Sequence, residues 1–93
     1  YINKIVSVKN KTRGEEQMTI RKVQFETMDD INRFLDVTEY CSFAVDLKRG
    51  HKIVDAKSVL GVAYMGIGRE LDFCAHVPEL APEIASSLEF CMK

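Results

Sequence analysis

The chain has 93 residues, of which 46% are hydrophobic and 29% charged, a balance typical of one small globular domain. This composition excludes an intrinsically disordered chain, and the net charge of -1 gives no overall field to attract nucleic acid or an anionic membrane. No apolar run is long enough to span a membrane and no signal peptide is visible, so we expect a cytoplasmic protein.

The three cysteines, Cys41, Cys74 and Cys91, indicate the same compartment. Their number is odd and no Cys-x-x-Cys pair occurs, which argues against a zinc site and against a redox pair. We expect all three to be small apolar core residues with free thiols, as suits a reducing cytoplasm.

Residues 1–16 differ in composition from the rest of the chain. Their first half could form a strand with Ile2, Val6 and Val8 on one side, whereas their second half is polar and interrupted by Gly14. The charged residues make this segment mildly basic: Lys4, Lys9, Lys11 and Arg13 against Glu15 and Glu16. We predict an N-terminal extension, either an edge strand or a disordered arm, followed by one domain over residues 17–93.

The first half of this domain predicts a strand and then a helix. Residues 18–26, MTIRKVQFE, are rich in β-forming side chains. Residues 27–41 repeat apolar side chains at helical spacing: Ile31, Phe34, Leu35, Thr38 and Cys41. Thr27 is a suitable N-cap, and Asp30 could complete a capping box with it.

A hairpin and a short helix are predicted next. The hairpin covers residues 42–55 and turns at Arg49-Gly50-His51. The short helix, residues 57–65, is capped by either Asp55 or Ser58 and ends at Gly66 in a left-handed turn.

A last strand over residues 70–77 and a final helix complete the domain. Leu71, Phe73 and Ala75 share one face of the strand. Pro78 and Pro82 precede the helix, whose apolar positions are Ile84, Leu88 and Cys91, with Ala85 and Met92 beside them. The order predicts an α+β open-faced β-sandwich, a four-stranded, mainly antiparallel sheet with three helices on one face.

The segment Leu47–Ile67, LKRGHKIVDAKSVLGVAYMGI, resembles the HPr family, the small phosphocarriers of the bacterial sugar phosphotransferase system. It is similar to the family's second hairpin, the Lys-Ser pair that opens the short helix, and the glycine-bearing segment after it. The element order from Met18 to Met92 agrees as well. The resemblance implies the HPr-like fold and a role connected with that system.

The chain departs from the family at the carrier histidine, which belongs to a Gly-x-His-x-Arg-Pro loop at the start of the first helix. The family's carrier position falls on Thr27, and Asp29 and Asp30 follow where the family has a cation and a proline. Threonine lacks the near-neutral pKa and nucleophilic nitrogen that suit imidazole to reversible phosphoryl transfer. We expect no catalytic residue here, and we interpret His51 and His76 as ordinary surface or strand-end residues.

Ser58 is the candidate regulatory phosphorylation site, because Gram-positive members of the family are phosphorylated on the serine that opens this helix. A phosphate on Ser58 would meet the backbone N–H groups of Val59, Leu60 and Gly61, and Lys57 would add a cation. The alternative is that Ser58 is only a helix N-cap.

Val59, Leu60 and Ala63 correspond to the apolar patch through which family members dock on their partners. A short apolar cluster is equally consistent with a core position, so both interpretations stay open. Ala63 is smaller than the residue that the patch usually carries.

The leading hypothesis is therefore a regulatory, protein-binding HPr-like module whose partners are a kinase and a transcription regulator. An active phosphocarrier that uses His76 or His51 is one alternative, and a structural or small-molecule-binding α+β domain is another. No phosphate-binding glycine loop, metal-ligand spacing or catalytic triad is visible, so neither a cofactor nor a metal is expected.

Overall fold

The computed structural model describes residues 18–93, and within this range it contains four strands and three helices. The strands are β1 (Thr19–Val23), β2 (Val45–Arg49), β3 (Lys52–Asp55) and β4 (Leu71–Ala75). The helices are α1 (Met28–Glu39), α2 (Val59–Met65) and α3 (Pro82–Leu88), and a 3-10 turn at Glu89–Cys91 follows α3. The prediction for residues 1–16 lies outside the described residues.

The strands form one antiparallel sheet in the order β1-β4-β2-β3. In its centre β4 pairs with β1, where Thr19 lies opposite Ala75, and with β2, where Leu47 lies opposite Phe73. The β2–β3 hairpin places β3 at the edge. This arrangement, with the helices described below, confirms the predicted α+β open-faced sandwich.

The core lies between one face of this sheet and the helices. Leu47 and Phe73 are fully buried there, together with Phe34 from α1, Met65 from α2 and Leu88 from α3. The Phe34 ring contacts the Phe73 ring edge to face at 5.6 Å between centroids. All three helices therefore bury their apolar sides against the same sheet face.

The predicted N-cap of α1 is confirmed. Thr27 Oγ1 accepts a hydrogen bond of 3.2 Å from the backbone N–H of Asp30. The reciprocal bond differs from the predicted capping box, because the Asp30 carboxylate accepts from the backbone N–H of Glu26 at 2.8 Å and not from that of Thr27. The extended backbone of Thr27 (φ -143°, ψ 168°) precedes the helix and brings the Glu26 N–H within reach.

The cap of α2 is Ser58 rather than Asp55. Ser58 Oγ accepts a hydrogen bond of 3.2 Å from the Gly61 backbone N–H, whereas the Asp55 carboxylate accepts one of 2.9 Å from the Lys57 backbone N–H. The helix begins at Val59, later than predicted, because Ser58 keeps an extended backbone. It ends at Gly66 as predicted, but φ 94° and ψ 167° differ from the predicted left-handed turn; the positive φ is one that glycine adopts readily.

Two strands are shorter than their sequence patterns predict. β1 ends at Val23 because the Gln24 backbone N–H leaves the ladder and donates to the Cys91 carbonyl at 2.8 Å. β4 ends at Ala75, and the His76 backbone N–H donates at 3.0 Å to the carbonyl of Ala44, the residue before the start of β2. The hairpin turn is Gly50-His51, since Arg49 already pairs with Lys52, and Gly50 takes a φ of 62°.

The prediction for the cysteines is confirmed, since all three are buried and carry free thiols. Burial raises the pKa of each thiol, and it raises that of Cys91 to about 11. These thiols are apolar packing groups at neutral pH. In the part of the chain that the structure describes, no helix is long and apolar enough to span a membrane.

Candidate functional site

Ser58 is the N-cap residue of α2 and is half-buried. Its backbone N–H donates to the Asp55 carbonyl at 3.0 Å, and its hydroxyl oxygen accepts from Gly61, as described above. The hydroxyl therefore already serves as a cap. A phosphate on the same oxygen would stand at the positive end of a short helix with no acidic residue in its first turn.

Lys57 points toward α1. Its ammonium donates a hydrogen bond of 2.8 Å to the Cys41 carbonyl, directly after the C-terminal end of α1. A cation is favourable there, because the last carbonyl groups of a helix carry partial negative charge. The predicted role of Lys57 beside a phosphate stays a prediction, and it requires the side chain to leave Cys41.

The exposed side of α2 carries Val59, Leu60, Ala63 and Tyr64, which we call the α2 surface. Val59 is 62% exposed, Leu60 83% and Tyr64 60%, and Ala63 is exposed as well. The opposite side of the helix is buried through Val62 and Met65. The α2 surface is thus separate from the core, which removes the core interpretation of the predicted docking residues.

Tyr64 belongs to this surface as well, although no role was predicted for it. The Lys52 ammonium of β3 lies 5.1 Å from the centroid of its ring, within the range of a cation–π contact. Hydrogen bonding to Lys52 and the charge of Lys52 lower the pKa of the Tyr64 hydroxyl. Helical spacing alone could have found this residue, since Tyr64 is four positions after Leu60 and shares its face.

Gly61 allows α2 to lie close against β3. A Cβ atom at this position would stand 3.1 Å from Val54 Cβ and 3.3 Å from the Asp55 carbonyl oxygen. Such contacts are tighter than ordinary packing, so a side chain here would push the helix outward. The glycine therefore fixes how the α2 surface and Ser58 are presented.

Thr27, the position that the predicted HPr resemblance aligns with a carrier histidine, is an exposed N-cap with Asp29 in the first turn of its helix. His76 and Thr27 lie at opposite ends of the sheet. His76 follows Ala75 of β4, which pairs with Thr19, whereas Thr27 follows Val23 at the other end of β1. His51 is exposed in the hairpin turn. Among the described residues, the side chain of Thr27 is hydrogen-bonded to the Asp30 backbone N–H and to neither imidazole.

His76 has a carboxylate partner instead. Its Nε2 lies 2.8 Å from Asp46 Oδ2, and both side chains are about one third exposed at 32%. The sequence missed this pair because the two residues are 30 positions apart and lie on neighbouring strands. Over residues 18–93, no group of three or more His, Cys, Asp and Glu side chains is arranged to hold a metal ion.

Comparison with known proteins adds no family to this description. No family model, no curated protein and no solved structure matches the chain. The functional interpretation consequently depends on the residues of this molecule.

Proposed function

We propose that this chain is an HPr-like regulatory module that binds a protein partner through the α2 surface and is modified on Ser58. The observation that carries the proposal is the exposure of Val59, Leu60 and Tyr64 on a helix whose other side is buried. In this proposal the molecule has lost the carrier function of the family, since threonine stands at the carrier position.

The α2 surface has the properties of a small docking site. Leu60 and Tyr64 lie one helical turn apart, so a partner can cover both at once. Covering apolar side chains contributes about 25 cal/mol per Å², and aromatic anchors are common among residues that dominate binding energy. Because Gly61 holds the helix against β3, the surface is presented rigidly.

Phosphorylation of Ser58 would change this surface electrostatically. The phosphate adds a charge of about -1.5 to -2 at pH 7 next to the exposed side chain of Val59. Its oxygens can keep the acceptor role toward the Gly61 N–H that the hydroxyl has now. The Asp55 carboxylate is close in sequence and would repel the phosphate, so a cationic group on the partner would stabilise the modified form.

The phosphorylation can be tested with an HPr kinase and ATP, followed by mass spectrometry of the intact chain. We expect one added phosphate on the wild type and none on Ser58→Asn, because asparagine keeps the N-cap acceptor but has no hydroxyl. A matched control, Ser86→Ala, removes an exposed hydroxyl from α3 and should leave the added mass unchanged. An unmodified wild type, or a phosphate on Ser58→Asn, contradicts the regulatory half of the proposal.

The docking half can be tested separately by NMR. Labelled, Ser58-phosphorylated chain is titrated with a purified transcription regulator of the type that binds serine-phosphorylated HPr proteins. We expect the largest shift changes at Val59, Leu60 and Ala63, and a loss of binding in Leu60→Ser. Changes confined to other parts of the sheet would contradict docking through α2.

A second candidate is a phosphocarrier that uses His76, and the contact with Asp46 favours it. A carboxylate at 2.8 Å holds one ring nitrogen and orients the imidazole, as carboxylates do for nucleophilic histidines. Incubation with phosphoenolpyruvate and the first enzyme of the phosphotransferase system tests this candidate. Acid-labile phosphate that disappears in His76→Gln would support it, and an unlabelled protein would exclude it.

A further inference from the structure

A groove of about 310 Å³ opens between α1 and α3. One side of the groove is lined by Val37 of α1 and by Tyr40, the C-cap residue of that helix. The other side is lined by Ile84 of α3. Val37 and Ile84 are half-buried against the core, whereas Tyr40 is 89% exposed. The groove is therefore an apolar depression with a large aromatic side chain at its side.

Carboxylates stand at the walls of this apolar groove. Asp36 lines it from α1 and Glu83 from α3, and both side chains are exposed. Neither takes part in an ion pair within residues 18–93. The chemistry that fits is an aliphatic stem with a cationic head, because the stem packs on Val37 and Ile84 while the head meets the carboxylates and the face of Tyr40.

The chain itself contains a segment of this chemistry. Residues 1–13, YINKIVSVKNKTR, carry four cations and no acidic residue. The charge of this segment is therefore opposite to that of the groove walls. The aliphatic stem that the groove requires is the stem of the lysine or arginine itself.

The entry point of the chain into the sheet lies at the end of the molecule where the groove is found. Thr19 Oγ1 donates to the Val77 carbonyl at 2.9 Å, five residues before α3 begins. Thr19 also pairs with Ala75, which lies opposite Val45, the first residue of β2 after the end of α1. Residue 13 precedes Thr19 by six positions, a reach of about 20 Å in extended chain.

We infer that the basic segment of residues 1–13 binds the groove between α1 and α3 of its own chain, with a lysine or arginine head between Asp36 and Glu83. Each exposed charge pair contributes little, and salt screens it. Covalent connection compensates, because a short tether keeps the segment at an effective concentration in the millimolar range. The interaction is thus intramolecular and salt-sensitive.

The test uses the full chain with a nitroxide label on Ser7→Cys. The native thiols are buried and their raised pKa keeps them protonated, so the label attaches to the new cysteine. We expect paramagnetic broadening of the amide signals of Tyr40, Ile84 and Ser87, and its loss at high salt. Asp36→Lys combined with Glu83→Lys should abolish the broadening.

The matched control is Glu39→Lys combined with Glu79→Lys, which makes the same change in net charge without altering a residue that lines the groove. This control should keep the broadening. Equal broadening in both double variants, or broadening confined to residues next to Thr19, would overturn the inference. A mixed sample distinguishes binding within one chain from binding between two chains. It combines nitroxide-labelled chain without ¹⁵N and ¹⁵N-enriched chain without nitroxide. Broadening in this mixture would show contact between two molecules and contradict binding within one chain.

Discussion

The hydroxyl of Thr38 donates a hydrogen bond of 3.0 Å to the carbonyl oxygen of Ala56, and both residues are fully buried. This bond joins the last turn of α1 to the loop that precedes Ser58. The Lys57 ammonium reinforces the connection through the Cys41 carbonyl. The position of Ser58 therefore depends on α1, although Thr38 precedes Ala56 by 18 residues in the chain.

Thr38→Val should destabilise the protein by roughly 1–3 kcal/mol, because the Ala56 carbonyl would remain buried without this donor. Valine has nearly the shape of threonine, so the loss reports the hydroxyl and not a cavity. Urea unfolding with unchanged m value is the measurement. Ser86→Ala, an exposed change on α3, should shift stability by no more than about 0.5 kcal/mol. Equal stability of Thr38→Val and wild type would contradict the role of this bond.

Gly61→Ala should also destabilise the protein, by roughly 1 kcal/mol. Alanine normally stabilises an exposed helix position by about the same amount relative to glycine. Here the new methyl would stand 3.1 Å from Val54 Cβ and 3.3 Å from a backbone oxygen, and neither atom can move without shifting β3. The thermal unfolding midpoints of Gly61→Ala and of the wild type show whether the substitution lowers or raises stability. A higher midpoint in Gly61→Ala would show that α2 is not held this closely.

Local sequence signals predicted much of the fold. The helical spacing of Ile31, Phe34 and Leu35 is the buried side of α1 in the structure, and Thr27 caps that helix as its residue type and position indicated. The hairpin turn is predicted at Arg49-Gly50-His51, and the structure narrows it to Gly50-His51 because Arg49 pairs with Lys52. These features depend on neighbours within a few residues, which is why a single sequence contains them.

The contacts that define the candidate site were not accessible to the same reasoning. Lys57 contacts Cys41, and His76 contacts Asp46, across separations of 16 and 30 residues. Such pairs depend on how helices and strands pack, and periodicity says nothing about that. The same limit explains why the sequence left Leu60 open between core and surface: apolar character alone does not determine which side of a short helix is buried.

The role of Ser58 as an N-cap can be separated from its proposed role as a phosphorylation site by a series of substitutions at this position. Ser58→Ala should cost about 0.5–2 kcal/mol because the Gly61 N–H loses its acceptor, whereas Ser58→Asn and Ser58→Asp should stay close to wild type. Urea unfolding of the four proteins measures this order. A stable Ser58→Ala together with unstable Ser58→Asn would show that the cap contact contributes little.

Neighbouring residues of α2 should respond in opposite ways to substitution. Leu60→Ser should leave stability within about 0.5 kcal/mol, because the side chain is exposed. Val62→Ala should cost about 1–3 kcal/mol, because it empties part of the fully buried core. Unfolding midpoints of both variants test the orientation of the helix. A reversed order would mean that the α2 surface faces the interior.

Stability should fall at alkaline pH because of Cys91. Removal from water, the larger cause, and the negative charge of Asp30 raise the pKa of this thiol from 9.0 to about 11. The folded state therefore holds the proton more tightly than the unfolded state. The stabilisation from this group is complete below pH 9 and is lost as the pH rises through about 11.

The measurement is the free energy of unfolding at several pH values between 8 and 11, for the wild type and for Cys91→Ala. One pKa unit corresponds to about 1.4 kcal/mol, so the shift from 9.0 to about 11 gives Cys91 a full effect on the order of 3 kcal/mol. Cys91→Ala should be less stable at pH 8, because it removes a buried sulfur, but its stability should fall less steeply above pH 9. The comparison cancels the other thiols, which are present in both proteins. Parallel pH profiles would mean that Cys91 ionises as easily in the folded state as in the unfolded chain, and they would contradict its burial in the core.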